Sequence, residues 1–264
     1  MYTAQALRQG LKTQRFGNKI FTFDTIDSTN NCARALAGCW ADEGTVIIAE
    51  QQTAGKGRLG RVWQANPNEN LTFSIILRPT ANPEQVNLLP LYVAVAVAQA
   101  IERTTSLKVE CKWPNDLLVN NRKVAGILLE GSVKDNTLEY VVVGIGVNVN
   151  QVAFAHDLEG KATSLRLEGG KEVDRLVLFR ELLSSLEKNY KTLSSSGFNT
   201  VLPLWLARSS MINRQISVSE RGSVISGVVR GLSPEGGLIL DSPQGAKTLF
   251  AGDVTILGID VPAA

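Results

Sequence analysis

Short turns divide the middle of the chain into a series of strand-like segments. Turn residues lie at Pro114-Asn115, at Asn120-Asn121 and at 134–136, and the segments between them are apolar. Turns this short join antiparallel neighbours, because a parallel pair needs a crossover of a dozen residues or more. The sequence therefore predicts an antiparallel meander with strands at 108–112, 116–119, 123–130 and 139–148.

The rest of the first 212 residues mixes strand and helix patterns. Short apolar runs predict strands at 20–25, 45–49 and 71–77. Polar residues at 27–30 suit the start of a helix that ends near Gly38, and apolar spacing predicts further helices at 87–103, 174–193 and 198–207. We expect an α/β (α+β) fold with a mixed, largely antiparallel sheet.

The pattern changes after Asn213. Short apolar runs at 216–218, 224–229, 238–240, 248–250 and 254–257 alternate with turns rich in Gly and Pro. This spacing is typical of a small β-barrel. The sequence therefore predicts two domains, at 1–212 and 213–264.

Composition excludes several classes of protein. Lys and Arg number 27 and Asp and Glu 25, a net charge of +2 that is too balanced for a nucleic-acid coat. The longest uncharged run, 85–101, contains Gln, Asn, Tyr and Pro and predicts a buried helix rather than a membrane span. The three cysteines form no disulfide or zinc pattern, which favours the reducing cytoplasm.

The first 20 residues carry four basic side chains and no acid, as an organellar presequence would. A strand-like run follows at once, so we favour a short surface helix that packs Leu7 and Leu11 onto the body of the protein. The segment lacks the apolar region of a secretory signal.

A glycine-rich, basic loop is the most distinctive candidate for a binding site. Residues 55–61 read Gly-Lys-Gly-Arg-Leu-Gly-Arg, and no acid occurs between positions 51 and 68. The match to the dinucleotide pattern G-x-G-x-x-G is weak, because residues 62–68 are poor helix formers. Glycines allow a ligand to approach the backbone, and the cations suit carboxylate or phosphate oxygens.

Three further segments have polar residues beside sheet strands. Residues 112–116 (Lys-Trp-Pro-Asn-Asp) could be a simple hairpin corner. Lys123 could be a solvated charge that keeps the edge of a sheet from pairing with other chains. Gly144 and Gly146 interrupt a hydrophobic strand that ends in Asn148. Glycine weakens a strand unless something lies against its backbone, which suggests a flat ligand there.

In this order, the segments 28–30, 52–61, 112–116, 122–130 and 144–148 resemble the biotin protein ligases, over nearly the whole chain from about residue 20 to 258. The resemblance implies a class II synthetase-like catalytic domain followed by an SH3-like barrel. It also implies that Mg²⁺ and ATP activate biotin, the substrate, to biotinyl-5′-AMP with release of pyrophosphate. Biotin then passes to a lysine of a biotin carboxyl carrier protein, a subunit of acetyl-CoA carboxylase.

The resemblance also implies roles for individual residues. The predicted biotin-contacting residues are Ser28, Thr29, Asn30, Gln52, Lys56, Gly57, Arg58 and Lys123. The predicted ATP and adenylate side comprises Arg61, Trp63, Lys112, Asn115 and Asn148. Lys56 departs from the arginine usual in the family, so it keeps the charge but loses the bidentate fork. No metal-ligating side chains are predicted.

The chemistry requires positive charge, because the biotin carboxylate must attack an anionic α-phosphate. We predict Arg58 and Lys123 as catalytic residues that neutralise this charge, together with Arg61 and Mg²⁺. For the transfer step, Asp116 is our hypothesis for the group that orients the carrier amine or accepts its proton.

Other functions remain possible on the sequence alone. The same fold supports lipoate-protein ligases and octanoyl transferases, and some biotin ligases are biotin-responsive DNA-binding regulators. About 20 residues precede the first strand, fewer than a helix-turn-helix head needs, so we expect no nucleic-acid binding. A non-enzymatic biotin-binding module is disfavoured by the ATP-side residues. We expect a cytoplasmic monomer or weak homodimer without membrane contact.

Several single residues are better explained by structure than by catalysis. We predict a surface position for His156, a buried strand position for Cys111 and helix packing for Cys32 and Cys39. Trp40 and Trp205 are expected in the core.

Overall fold

The computed structural model describes residues 2–39, 41–79, 83–135, 137–196, 200–220 and 222–260. Trp40 lies outside these residues, as do the predicted turn residue 136 and the first residues of the helix predicted at 198–207.

A seven-stranded sheet forms the first part of the protein. Its strands are β1 (Ile20–Ile26), β2 (Val46–Gln52), β3 (Leu71–Leu77), β4 (Glu110–Lys112), β5 (Asp116–Val119), β6 (Arg122–Lys134) and β7 (Thr137–Val147). They lie in the order β1-β2-β3-β7-β6-β5-β4. Among the strand pairs of the described residues, β1–β2 is parallel and the others are antiparallel. The prediction of a mixed, largely antiparallel sheet is confirmed.

Helices cover this sheet. They are α1 (Ala4–Arg8), α2 (Thr29–Gly38), α3 (Leu89–Thr105), α4 (Leu165–Gly169), α5 (Arg175–Ser196) and α6 (Val201–Leu206). The short α4 was not predicted, because five residues carry too little periodicity to reveal a helix.

The apolar helix α3 lies in the core. Within the described residues, only Val86–Thr105 is long and apolar enough to cross a membrane, and 67% of that window is buried. The Tyr92 hydroxyl donates to the backbone oxygen of Leu186 on α5 at 2.7 Å. The prediction of a buried helix is confirmed, although α3 begins at Leu89 and a 3₁₀ turn, Pro83–Leu88, precedes it.

The N-terminal segment is anchored to the body of the protein. Leu7 on α1 is fully buried, as predicted, and Leu11 packs against the core. The carboxylate of Glu187 on α5 accepts hydrogen bonds from the backbone N–H groups of Gln14, Arg15 and Phe16. These bonds hold the chain where it turns into β1.

A second sheet follows α6. It contains β8 (Arg214–Glu220), β9 (Ser223–Leu232), β10 (Leu238–Ser242), β11 (Gly245–Leu249) and β12 (Asp253–Asp260), in the antiparallel order β11-β10-β9-β8-β12. These strands form the small SH3-like domain that the sequence predicts.

The two sheets share one apolar core. Ile216 and Val229 of the second sheet belong to the same buried cluster as α3. The indole N–H of Trp113 donates to the backbone oxygen of Gly236 at 3.3 Å. A Cβ at Gly236 would lie 2.9 Å from Leu88, so glycine permits this close contact. The domain boundary between 212 and 213 stays a prediction.

The expected positions of individual side chains are mostly confirmed. Cys111 is buried, Trp205 is 1% exposed and His156 is on the surface. The prediction for Cys39 was wrong: this thiol is exposed, because Cys39 caps the end of α2, beyond the buried face of the helix.

Candidate functional site

A cavity of about 770 Å³ opens where the ends of several elements meet. Its walls come from the start of α2, the end of β2, the glycine-rich loop, the β4–β5 turn, the start of β6 and the end of β7. Every predicted site residue lines it: Ser28, Thr29, Asn30, Gln52, Lys56, Gly57, Arg58, Arg61, Trp63, Lys112, Asn115, Asp116, Lys123 and Asn148. The structure thus brings the predicted set together, while the role of each residue stays a prediction.

One end of the cavity is lined by neutral hydrogen-bonding groups. Ser28, Thr29 and Asn30 are buried at the N-terminus of α2. Gln52 Oε1 accepts a hydrogen bond from Thr29 N at 2.7 Å and lies 3.1 Å from Thr29 Oγ1. Ser74 Oγ on β3 lies 2.8 Å from Thr29 Oγ1 and 2.6 Å from Asn30 Oδ1. This network fixes the polar side chains before a ligand arrives.

The glycine-rich loop, residues 53–63, folds back on itself beside this end. Gly57 N donates to Arg61 O at 2.7 Å, and Trp63 N donates to Gly55 O at 3.0 Å. Between them Arg58–Gly60 forms a 3₁₀ turn with Leu59 at a φ of 55°. No helix follows the turn, which agrees with the rejection of a dinucleotide-binding motif.

The arginines of the loop reach both domains. Arg58 Nη1 donates to Asn115 Oδ1 at 3.3 Å and to the backbone oxygen of Gly252 at 3.2 Å. Arg61 pairs with the carboxylate of Asp253. Burial lowers the pKa of Arg58, although a guanidinium remains charged at any physiological pH. The second domain therefore helps to hold the loop over the cavity.

Two lysines and a carboxylate form another part of the wall, Lys112, Asp116 and Lys123. Lys123 Nζ lies 2.6 Å from Asp116 Oδ1, and the register of β5 on β6 places both side chains at the cavity. Burial lowers the pKa of the nearby Lys112, with Asp116 opposing the shift. A partly desolvated cation gains more from a bound anion than an exposed one does.

The two glycines of β7 lie against side chains of the protein. A Cβ at Gly146 would lie 2.3 Å from the Trp63 indole, and one at Gly144 would lie 2.3 Å from Asn30 Oδ1. The sequence suggested a flat ligand at these glycines; the structure instead places the flat indole of Trp63 at Gly146. Trp63 Nε1 is buried and has no hydrogen-bond acceptor among the described residues.

This position makes Trp63 a reporter of occupancy. Binding of biotin and ATP should change the tryptophan fluorescence, because a ligand in the cavity alters the surroundings of the indole. We expect the Trp63→Phe variant to lose this change and the core variant Trp205→Phe to keep it. A ligand-dependent signal of unchanged size in Trp63→Phe would show that the indole lies away from the ligand.

Besides Thr72 and Phe73 on β3, sequence reasoning missed two parts of the wall. Asp253, Val254 and Thr255 come from β12, and Phe154, Asp157, Leu158, Lys161 and Ala162 come from the irregular segment after β7. The segment after β7 has no periodicity, and the contact of β12 with the loop joins residues 192 positions apart. Neither part carries a signal that a single sequence could reveal.

Comparisons with known proteins agree with this arrangement. Residues 22–148 match the model of the Biotin/lipoate A/B protein ligase family, and residues 211–257 match that of the Biotin protein ligase C terminal domain. The bifunctional ligase/repressor BirA of Bacillus spizizenii is 35% identical over 95% of this chain and 78% of its own length. The biotin--[acetyl-CoA-carboxylase] ligase of Paracoccus denitrificans is 33% identical over 86% of this chain and 96% of its own.

Solved structures show the same likeness. The biotin protein ligase from Aquifex aeolicus, in complex with biotin and ATP, superposes with a TM-score of 0.79 and 28% identity. The match covers 90% of this chain and 98% of that protein. By its identity to these relatives, by both domain matches and by its fold, this chain belongs to the biotin protein ligases.

Proposed function

We propose that the protein activates biotin with ATP to biotinyl-5′-AMP and transfers biotin to a lysine of a biotin carboxyl carrier protein. The main observation in support of this proposal is that all the predicted biotin and ATP residues line one and the same cavity. The names of the relatives and the complex with biotin and ATP from Aquifex aeolicus support it. They favour biotin over lipoate, which the wider family also covers.

The charges of the cavity suit the two ends of biotin. Neutral hydroxyls and amides at the start of α2 can pair with the N–H and C=O groups of the uncharged ureido ring. Arg58, Lys112 and Lys123 also line the cavity, and their charges can stabilise an anion. We infer that the ring enters beside Thr29 and that the carboxylate faces these cations.

In the first step, a carboxylate oxygen of biotin attacks the α-phosphorus of ATP and pyrophosphate leaves. Arg58, Arg61 and Lys123 offset the repulsion between the two anions and the charge that develops in the transition state. The ion pair with Asp116 holds Lys123 in place without removing its charge.

Mg²⁺ would enter with ATP. Among the described residues, no three His, Cys, Asp or Glu side chains form a group that could hold a metal ion. A magnesium ion would therefore be bound mainly by the phosphate oxygens of ATP, which is common for Mg²⁺. Bound there, the ion supplies further neutralisation of the phosphate charge.

In the second step, the neutral amine of the carrier lysine attacks the carbonyl carbon of the mixed anhydride, and AMP leaves. Asp116 lies at the cavity and can orient this amine or accept its proton once the ammonium at Lys123 shifts toward phosphate. The fold of the loop over the cavity limits hydrolysis of the anhydride.

A direct test measures the exchange of radiolabelled pyrophosphate into ATP. Exchange should require biotin and should not occur with lipoate or octanoate in its place. Exchange that lipoate supports as well as biotin would overturn the assignment of substrate.

We propose that the carrier docks at the outer edge of β6. Strand β5 pairs with β6 only as far as Gly126, so residues 128–134 lack a neighbouring strand on that side among the described residues. An unpaired edge beside the cavity can bind an extended segment of another chain. Carrier and a second copy of this protein would compete for this edge, which agrees with a monomer or weak homodimer.

Val133 on this edge is 62% exposed and provides a test. Val133→Lys should slow transfer to the carrier and leave biotin-dependent pyrophosphate exchange unchanged, because the residue lies outside the cavity. Val177→Lys, at an exposed apolar site on α5, is the matched control. Equal transfer rates for Val133→Lys and the wild type would exclude docking at this edge.

A further inference from the structure

Glu130 on β6 contacts three polar side chains, two of which, Asn30 and Lys56, line the cavity. Its Oε2 accepts a hydrogen bond from Asn30 Nδ2 at 2.7 Å. Its Oε1 lies 3.3 Å from Arg34 Nη1 and 3.5 Å from Lys56 Nζ. The carboxylate is largely buried, with 23% of the side chain exposed. Nothing in the proposed mechanism uses this group.

Glu130 determines which way the amide of Asn30 points. An ionised carboxylate can only accept, so the NH₂ group of Asn30 must face Glu130 and its oxygen must face Ser74. Asn30 is 4% exposed, which leaves the amide no alternative partner in water. The orientation of this buried amide on α2 is therefore set by a side chain of β6.

The orientation of the Asn30 amide fixes the direction of the hydrogen bonds made by Ser74 and Thr29. The single proton of the Ser74 hydroxyl goes to Asn30 Oδ1, which can only accept. The proton of the Thr29 hydroxyl goes to Gln52 Oε1 at 3.1 Å. Because Ser74 Oγ, 2.8 Å away, gives its proton to Asn30, both lone pairs of Thr29 Oγ1 are open to a ligand in the cavity.

We propose that Glu130 is a positioning residue that, through Asn30 and Ser74, makes the Thr29 hydroxyl an acceptor for a ureido N–H of biotin. This inference rests on the proposed function, because it needs a ring with N–H donors at this end of the cavity. Without Glu130, Asn30 is free to turn its NH₂ group to Ser74. Ser74 then donates to Thr29 and occupies one of the two lone pairs through which Thr29 Oγ1 can accept from the ligand.

The test is titration calorimetry with biotin and, separately, with ATP. Glu130→Ala should raise the Kd for biotin about tenfold, which corresponds to the loss of one hydrogen bond, and leave the Kd for ATP within about twofold. Glu130→Gln should stay within about threefold of the wild type, since its amide oxygen can still accept from Asn30. Glu139→Ala, on the solvent side of β7, is the matched control.

A double-mutant cycle separates positioning from general stability. In a Thr29→Val background the Glu130→Ala substitution should raise the Kd for biotin by less than about twofold, because the acceptor that Glu130 orients is gone. If Glu130→Ala fails to fold, Asn30→Ala releases the Ser74 hydroxyl from the same partner and should weaken biotin binding with the same selectivity, and a further Ser74→Ala substitution should recover most of the loss.

Wild-type Kd values for biotin in Glu130→Ala or in Asn30→Ala would overturn the inference. So would equal losses for biotin and ATP, or a Glu130→Gln variant as weak as Glu130→Ala. Failure of the wild type to bind biotin at all would instead overturn the proposed function.

Discussion

Replacing Lys123 with alanine should reduce the rate of biotinyl-AMP formation by at least about 100-fold, the scale seen when a group that stabilises transition-state charge is removed. The Lys123 ammonium lies at the wall where the carboxylate of biotin and the α-phosphate of ATP must meet. Its loss leaves Asp116 as an uncompensated negative charge in the same place. Biotin-dependent pyrophosphate exchange measures the effect.

Folding should change little in this variant. The Lys123 side chain is 35% exposed, and pairs of this kind contribute little to stability. Lys134→Ala, at the far end of the same strand, is the matched control and should exchange pyrophosphate at the wild-type rate. Exchange at the original rate in Lys123→Ala would remove Lys123 from the catalytic residues.

The second large effect is expected for Arg58→Gly. This side chain ties the glycine-rich loop to Asn115 and to the backbone of Gly252, so its removal takes away both ties and leaves the loop held more weakly, through contacts such as the Arg61–Asp253 pair. A further glycine beside Gly57 also raises the conformational freedom of the open loop. The variant should release biotinyl-AMP at least about tenfold faster, and the freed anhydride should biotinylate lysines of bystander proteins.

Release is measured by rapid dilution of the preformed enzyme–adenylate complex, and labelling is measured on serum albumin added to the reaction. Arg58→Lys should release the adenylate at a rate between those of the wild type and Arg58→Gly, because lysine keeps the charge but loses the bidentate guanidinium group. An unchanged rate of adenylate release in Arg58→Gly would contradict the assigned role of the loop.

The strands of the first domain follow closely from the sequence. Strand β3 was predicted with its observed ends, and the meander β4–β7 was found through its turns. These strands could be predicted because strong apolar runs end at residues that favour turns, such as Pro and Asn. The order of the strands, with β7 rather than β4 beside β3, depends on pairing over long distances.

The site could be predicted as a set of residues but not as a geometry. Side chains that carry a chemical pattern, such as Arg58 and Lys123, stand out in a single sequence. The contact of Arg61 with Asp253 and the hold of Glu130 on Asn30 do not, since each partner alone is an ordinary charged or polar residue. Only packing of the second domain and of β6 brings these pairs together.

The central claim is that this cavity couples ATP cleavage to biotinylation of a carrier lysine. The most direct test is mass spectrometry of a biotin carboxyl carrier domain after incubation with the protein, MgATP and biotin, beside a parallel reaction with lipoate. We predict a mass increase of one biotinyl group on a single lysine, dependent on ATP and absent with lipoate. An unmodified carrier with biotin, or modification by lipoate alone, would contradict the claim.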